Sequence, residues 1–294
     1  MIQPMRAPAF EASAARPEAA DAIAGFAERC LRLEVRTWPK PGLVSHVDQG
    51  SHDDMDADTF ARSAAAIRPF LADLARAGAA RAEMAALRRI GLRAEHAMLA
   101  ATGGVNTHRG AIFGLGLLCA AAGLRAAGND EGDPHGDSAR TLGACVAAQW
   151  GDEILGGPRP SDSHGERAIR RYGVGGARGE AANGFPAVYA IGVPALRAAR
   201  ALRPGDDEAA RVQACFALIA ALDDTNLLHR GGAAGLAFAQ QAARDFLAHG
   251  GVGADDWREQ AAAVHRAFVA RRLSPGGTAD LLAMSLFADG LDPR

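Results

Sequence analysis

From His108 to Ala127 the chain is apolar on every side, with glycines spread through it and Arg109 and Arg125 as its only charges. A helix with that composition has no face to offer water, so it belongs at the centre of a bundle of other helices. The flanking segments carry the matching one-sided pattern. Phe60, Ala64, Ile67, Leu71 and Leu74 recur at spacings of 4, 3, 4 and 3, and Ile23, Phe26, Cys30 and Leu33 at 3, 4 and 3. Helices are predicted over about 19–38, from a cap near Asp58, and over 81–101, 108–127, 139–154, 186–203, 206–222, 232–249 and 255–273. A last one opens at Ser274-Pro275. No stretch sustains the period-two alternation of a strand. Aromatic residues make up only 5% of the chain, so Ala, Leu, Val and Ile must fill the core, a mixture that favours helices. The expectation is an all-α, single-domain multi-helix bundle with Gly-rich loops forming the site. Residues 1–17 are a flexible leader and 18–294 one α-helical catalytic domain.

Several classes of function are disfavoured. The net charge is −2 and no basic stripe interleaves with aromatics, so nucleic acid is not expected as a partner. Cys30, Cys119, Cys145 and Cys215 are far apart in sequence and read as reduced, packed thiols. The N-terminus lacks the apolar core of a secretory signal. The longest apolar run, Ala111–Gly123, falls short of the ~20 residues that span a bilayer. A cytoplasmic location without a membrane partner follows as an expectation.

Rare residue types cluster. Lys40 is the one lysine among 32 basic residues, the rest being arginine. A compact ammonium in Pro39-Lys40-Pro41-Gly42, in a chain that otherwise uses arginine, points to a specific task for it. Asn106, Asn183 and Asn226, and Thr102, Thr107, Thr225 and Thr278, fall in or beside Gly-rich or acidic segments.

Five motifs carry chemistry. In the first, EVRTWPKPGLVSHVDQGSHDDMD (Glu34–Asp56), Lys40 is suited to a phosphate and Asp48 and Asp54 to Mg²⁺. His46 and His52 read equally well as loop histidines bonded to backbone, and Asp56 as a helix cap. In the second, TGGVNTHRGAIF after Glu95, Asn106, Thr107, His108 and Arg109 stand at the mouth of the apolar helix, where bare N–H groups favour anions. The third, YGVGGARGEAANGF, presents Arg178 and Glu180 on a glycine-rich backbone, either as a phosphate nest or as a plain connection. It is not a P-loop. In the fourth, DDTNLLHRGG, Asp224 is either a metal ligand or a helix cap, with Asn226 and Arg230 following. In the fifth, SPGGTAD, Ser274 before Pro275 reads as an N-cap. Gly276 and Gly277 then sit in a first turn where each costs roughly 1 kcal/mol relative to Ala. A ligand packed there would explain them, with Asp280 a turn further in.

Taken together, PKPGLV, GGVNTHRGAIF, GARGEA, DTN followed by RGG, and SPGGTADLL resemble the triphosphoribosyl-dephospho-coenzyme A synthase family, in its motif order, from about Glu34 to Leu282. The resemblance implies an α-helical enzyme that uses a divalent metal, Mg²⁺. It joins the ribose C1 of ATP to the 2′-hydroxyl of 3′-dephospho-CoA and releases adenine. The product is the precursor of a carrier-protein prosthetic group. Arg109 departs from the Lys expected after the motif His. Ser45-His46, and Asp223-Asp224 with Leu-Leu-His beyond, look like the malonate decarboxylase branch rather than the citrate lyase one.

Such a displacement develops positive charge at C1, must neutralise a triphosphate, takes a proton from a hydroxyl and gives one to adenine. Lys40, Arg109, Arg178 and Arg230 are the expected phosphate contacts. Asn106, Thr107, Asn226 and Ser274 are expected around the sugar and the rest of the substrate. Asp48, Asp54, Asp224 and Asp280 are expected to hold Mg²⁺ or supply the base. His108 is the expected proton donor, with Glu95 or Glu180 as alternatives. Two other readings use the same residues: an all-α metal-dependent hydrolase of ADP-ribose-like N-glycosidic bonds, and a non-catalytic nucleotide-binding chaperone. A homodimer is compatible with all three.

Overall fold

Eleven α-helices and no strand make up the residues that the computed structural model describes, 16–130, 140–158 and 175–292. Residues 131–139 and 159–174, the latter including Tyr172–Val174 of the third motif, and the leader apart from its last two residues lie outside them. Those last two residues, Arg16 and Pro17, already belong to the first helix.

The helices are α1 (Arg16–Val35), α2 (Ala57–Ala79), α3 (Met84–Ala101), α4 (Arg109–Asp130), α5 (Leu142–Gly156), α6 (Gly176–Ala182), α7 (Val193–Leu202), α8 (Asp207–Ala221), α9 (Thr225–Ala248), α10 (Trp257–Ala270) and α11 (Gly276–Leu291). One π turn, Val188–Gly192, leads into α7. The apolar segment is the central helix: α4 packs against α1, α2, α3, α5, α6 and α11. Over Arg109–Gly128 it is long and apolar enough to cross a membrane, but 72% of that window is buried within the protein. Neighbouring helices supply its apolar environment. Its glycines set the spacing to α2. A Cβ on Gly123 would come within 1.9 Å of the Ala75 carbonyl oxygen, and one on Gly78 within 1.9 Å of that of Ala120. The two backbones therefore touch, a separation that glycine alone permits. All four cysteines are buried.

The structure differs from the sequence-based expectation at three places that bear on the site. The glycine-rich GARGEAA forms a short helix, α6, instead of an open loop. The helix expected from 232 begins at Thr225, and Gly232, at φ 61° and ψ −164°, kinks it. The last helix opens at Gly276, with Pro275 and not Ser274 at its N-cap position. The Ser274 hydroxyl is instead 2.8 Å from His52 Nε2, so it is not the group that caps α11.

Candidate active site

Two aspartates tie three helix N-termini together. Asp224 precedes α9, and its Oδ1 accepts from the Asn226 and Leu227 backbone N–H groups at 2.8 and 3.3 Å. It is thus the helix cap that the sequence allowed. Its Oδ2 crosses to α11 and accepts from the Thr278 backbone N–H at 2.8 Å and the Thr278 hydroxyl at 3.1 Å. One buried carboxylate therefore caps two helices, each of which presents unsatisfied N–H groups and a partial positive charge. The glycines of α11 make this possible. A Cβ on Gly277 would lie 3.1 Å from Asp224 Oδ2, and one on Gly276 2.8 Å from Asn226 Nδ2. The protein's own side chains thus account for the two glycines that the sequence reading assigned to a ligand.

Asp280, one turn into α11, reaches the third N-terminus. It accepts a hydrogen bond from the Ala111 backbone N–H of α4. A Cβ on Gly110 would meet its Oδ2 at 1.9 Å, so the carboxylate rests directly on the first turn of the central helix.

A buried ion pair faces these aspartates. Glu34, near the end of α1, accepts from the Lys40 ammonium, and both side chains are buried. Lys40 therefore does not sit where it was expected, on a phosphate-facing loop surface; with 0% exposure, its charge is directed inward to Glu34. The Lys40 carbonyl lies 2.5 Å from His265 Nδ1, and His265 Nε2 lies 3.2 Å from Asp48 Oδ2. Burial raises the carboxyls of Glu34 and Asp224 above the ordinary range. For Glu34 it outweighs Lys40, and for Asp224 it outweighs the bonds from Thr278, Asn226 and Leu227. Asp280 is pushed well above that range, by burial first and then by the nearby charges of Glu34 and Asp224. Like charges this close oppose joint ionisation.

A second group of candidates surrounds the start of α4. His108 is buried against the edge of Phe60, and its Nδ1 lies 2.6 Å from the Ser63 hydroxyl of α2. Thr107 donates to that same hydroxyl at 2.7 Å. Burial alone lowers His108 to about 3, so the ring is neutral near pH 7. The expected proton donor is therefore a ring that donates as neutral imidazole. Asn106 Oδ1 accepts from the Arg109 N–H at 3.2 Å, and the Arg109 guanidinium pairs with Glu95 at 3.0 Å on the exposed side.

A third group lines the loop Ser51–Asp54. Arg230 donates to the carbonyls of Ser51 and Arg272 at 3.1 and 3.2 Å and lies 3.2 Å from His52 Nδ1. Asp54 is mostly exposed, 3.7 Å from the same ring nitrogen.

Two candidates stand apart from all three groups. Arg178 donates to the Leu155, Gly157 and Pro158 carbonyls at 3.0, 3.0 and 2.9 Å, and also to that of Ile154, so it ties α6 to the C-terminal end of α5. Glu180 accepts from the Ala187 N–H at 3.1 Å, and burial raises its carboxyl.

The expected Asp48, Asp54, Asp224 and Asp280 are not gathered as a metal cage. Among the described residues no group of three or more His, Cys, Asp or Glu side chains is placed to hold an ion. The hydrogen bonds explain why. Both oxygens of Asp224 already accept from two donors each. Those of Asp48 face Gly50 and His265.

Sequence reasoning passed over Glu34, Ser63 and His265. Glu34 had a signal, since an acid six residues before the chain's one lysine is a natural partner for it. Ser63 lies within an ordinary amphipathic helix, and His265 joins the site from a residue more than two hundred positions beyond Lys40. Neither leaves a mark in local sequence.

Helix N-termini converging on buried acids, beside a buried ion pair and with arginines nearby, mark the candidate centre of this all-α protein. The family model for ATP:dephospho-CoA triphosphoribosyl transferase matches residues 20–294. The chain is 40% identical over 290 residues to a probable 2-(5''-triphosphoribosyl)-3'-dephosphocoenzyme-A synthase of Azotobacter vinelandii, covering 97% of this chain and 96% of that one. It is 41% identical over 279 residues to the 2-(5''-triphosphoribosyl)-3'-dephosphocoenzyme-A synthase of Klebsiella pneumoniae, covering 92% and 91%. With the probable synthase of Pseudomonas putida it shares 42% over 277 residues, 92% and 94% of the two chains. No solved structure matches. The chain belongs to the ATP:dephospho-CoA triphosphoribosyl transferase family, and it is a transferase of that class.

Proposed function

We propose that this enzyme joins the ribose C1 of ATP to the 2′-hydroxyl of 3′-dephospho-CoA and releases adenine, using the centre around Asp224 and Asp280. The observation that carries the assignment of residues is the pair of aspartates at three helix N-termini, one of them saturated with hydrogen bonds and the other not. Asp224, held in place by four donors, is the carboxyl suited to stabilising the oxocarbenium-like C1. Asp280, with its carboxyl raised and one backbone donor, is suited to accept the proton of the attacking 2′-hydroxyl. As the new C1–O bond forms, the C1–N bond breaks and its electron pair leaves with adenine. His108, as neutral imidazole, donates a hydrogen bond to that base.

Arg230 and Arg109 flank the centre as phosphate contacts, and Asn226, Asn106 and Ser274 are the polar groups beside them. Lys40 serves to balance Glu34. The hydrogen bonds on Asp48 and Asp224 leave Asp54, exposed beside Arg230, as the carboxylate best suited to Mg²⁺ carried by the triphosphate. Mg²⁺ binds well through one carboxylate, water and phosphate oxygens. It would neutralise the triphosphate. We further assign the product to the malonate decarboxylase carrier protein, supported by Ser45-His46 and by Asp223-Asp224 with Leu227-Leu228-His229.

The test is chromatographic detection of adenine after the protein is mixed with ATP, Mg²⁺ and dephospho-CoA. Release is expected only when all three are present. Equal release without dephospho-CoA would identify a hydrolase, and ATP binding without adenine release a chaperone.

A further inference from the structure

Ser63 is fully buried in α2, where a hydroxyl without partners would be costly. The usual remedy in a helix is a bond to the carbonyl four residues back. Thr37, Thr102 and Ser285 all take it, donating to Leu33, Met98 and Leu281. Ser63 does not. Its oxygen lies 2.6 Å from His108 Nδ1 and receives the Thr107 hydroxyl at 2.7 Å. With Thr107 donating to it, the one proton of Ser63 is free to go to Nδ1. A neutral imidazole that accepts at Nδ1 carries its proton on Nε2.

The rest of the ring's surroundings agree. The His108 backbone N–H is directed to Met98 Sδ at 3.2 Å, and Phe60 meets the ring edge-on at 5.0 Å between centroids. Among the described residues Nε2 has no hydrogen-bond partner. His108 lies two residues before Gly110 and three before Ala111, the residues that Asp280 touches.

We propose that Ser63, backed by Thr107, is a positioning residue that holds His108 in the neutral tautomer with its proton on Nε2, the proton offered to the departing adenine. The adenine part rests on the synthase reading; the tautomer part does not. Because burial lowers His108 to about 3, the ring stays neutral across the pH range in which the protein is handled. Its tautomer is then the variable that Ser63 controls.

Long-range ¹H–¹⁵N correlation spectra of protein labelled at its nine histidines, with His108 assigned by its loss in His108→Gln, read the tautomer directly. Wild type is expected to show the Nε2–H pattern. Ser63→Ala should shift it toward a mixture of tautomers. Thr107→Val, a shape-preserving change at a half-exposed site, should do the same more weakly, and it keeps the proposal testable if Ser63→Ala fails to fold. In single-turnover assays Ser63→Ala should lower adenine release about 10- to 100-fold, part of the usual general-acid contribution, with KM for ATP within about twofold. An Nδ1–H wild-type ring, or an unchanged tautomer in both variants, overturns the proposal. A shifted tautomer with unchanged turnover removes the role toward adenine. An intact tautomer effect in a protein that makes no adenine counts against the synthase reading alone.

Discussion

Asn is as good a helix cap as Asp on an exposed helix, yet Asp224→Asn should be strongly destabilising here. The carboxylate accepts from three backbone N–H groups and one hydroxyl, and all four point at it. An amide supplies one oxygen. If that oxygen keeps Asn226 and Leu227, the new NH₂ group faces the Thr278 N–H, donor against donor, while the Thr278 hydroxyl can turn to accept. One buried N–H is left unsatisfied, at about 1–3 kcal/mol, and the two retained bonds lose their charge assistance, at about 1 kcal/mol each. Relief of the buried charge, the same effect that raises the Asp224 carboxyl, offsets part of this. A net loss of about 2–4 kcal/mol follows. Urea unfolding followed by circular dichroism should show a lower midpoint with an unchanged slope. Single-turnover adenine release, measured where the variant is still folded, should fall by about 10²–10⁴-fold. An Asp224→Asn protein that unfolds at the wild-type midpoint would mean that Asp224 does not cap the last helix, and the double-cap argument would fail.

Gly110→Ala should gain helix propensity but push the Asp280 carboxylate off α4, so adenine release should drop at least tenfold in a protein whose thermal unfolding is little changed; wild-type turnover would contradict the contact at Gly110. Lys40→Met leaves Glu34 buried without its partner and should cost about 3–5 kcal/mol in urea unfolding. Adding Glu34→Gln should restore more than half of that loss, and an additive double variant would show that the pair does not interact. Asp280 has its folded-state pKa raised, so the stability it contributes is full below the unfolded carboxylate range and is lost as pH rises through the folded value. Wild type should therefore lose more stability than Asp280→Asn between pH 5 and pH 8, a comparison read by urea unfolding at both; equal losses would show that this carboxyl is not perturbed.

The helices were legible because burial leaves a periodic trace, in the stripe from Phe60 to Leu74 and in the all-round apolar α4. Their ends were less so. The predicted start of α9 missed seven residues because the glycines 231 and 232 read as a break, whereas the structure bends through Gly232 and keeps the helix on both sides. At the site, Asp224, Asp280, His108 and Arg230 were picked out by residue type. Which group meets which was hidden, because the partners are far apart in sequence. Lys40 shows the difference most clearly: its rarity singled it out, but only the fold reveals that its partner is an acid of the same protein. Arg178 shows the converse, since an arginine among glycines looks open to a ligand until the end of α5 is seen beside it.

The double cap at Asp224 also has a consequence for how the molecule comes into being. Its partners Asn226 and Thr278 lie in the first turns of α9 and α11, with α10 between those helices in the sequence, while Glu34 and Lys40 come from the end of α1 and the loop after it. A growing polypeptide can form the central helices and bury most of their apolar faces well before residues 276–282 are made. Until then Asp224 has half of its donors and Asp280 does not exist. The donor set of Asp224 is thus completed, and Asp280 set against α4, only once residues 276–282 have been made and packed.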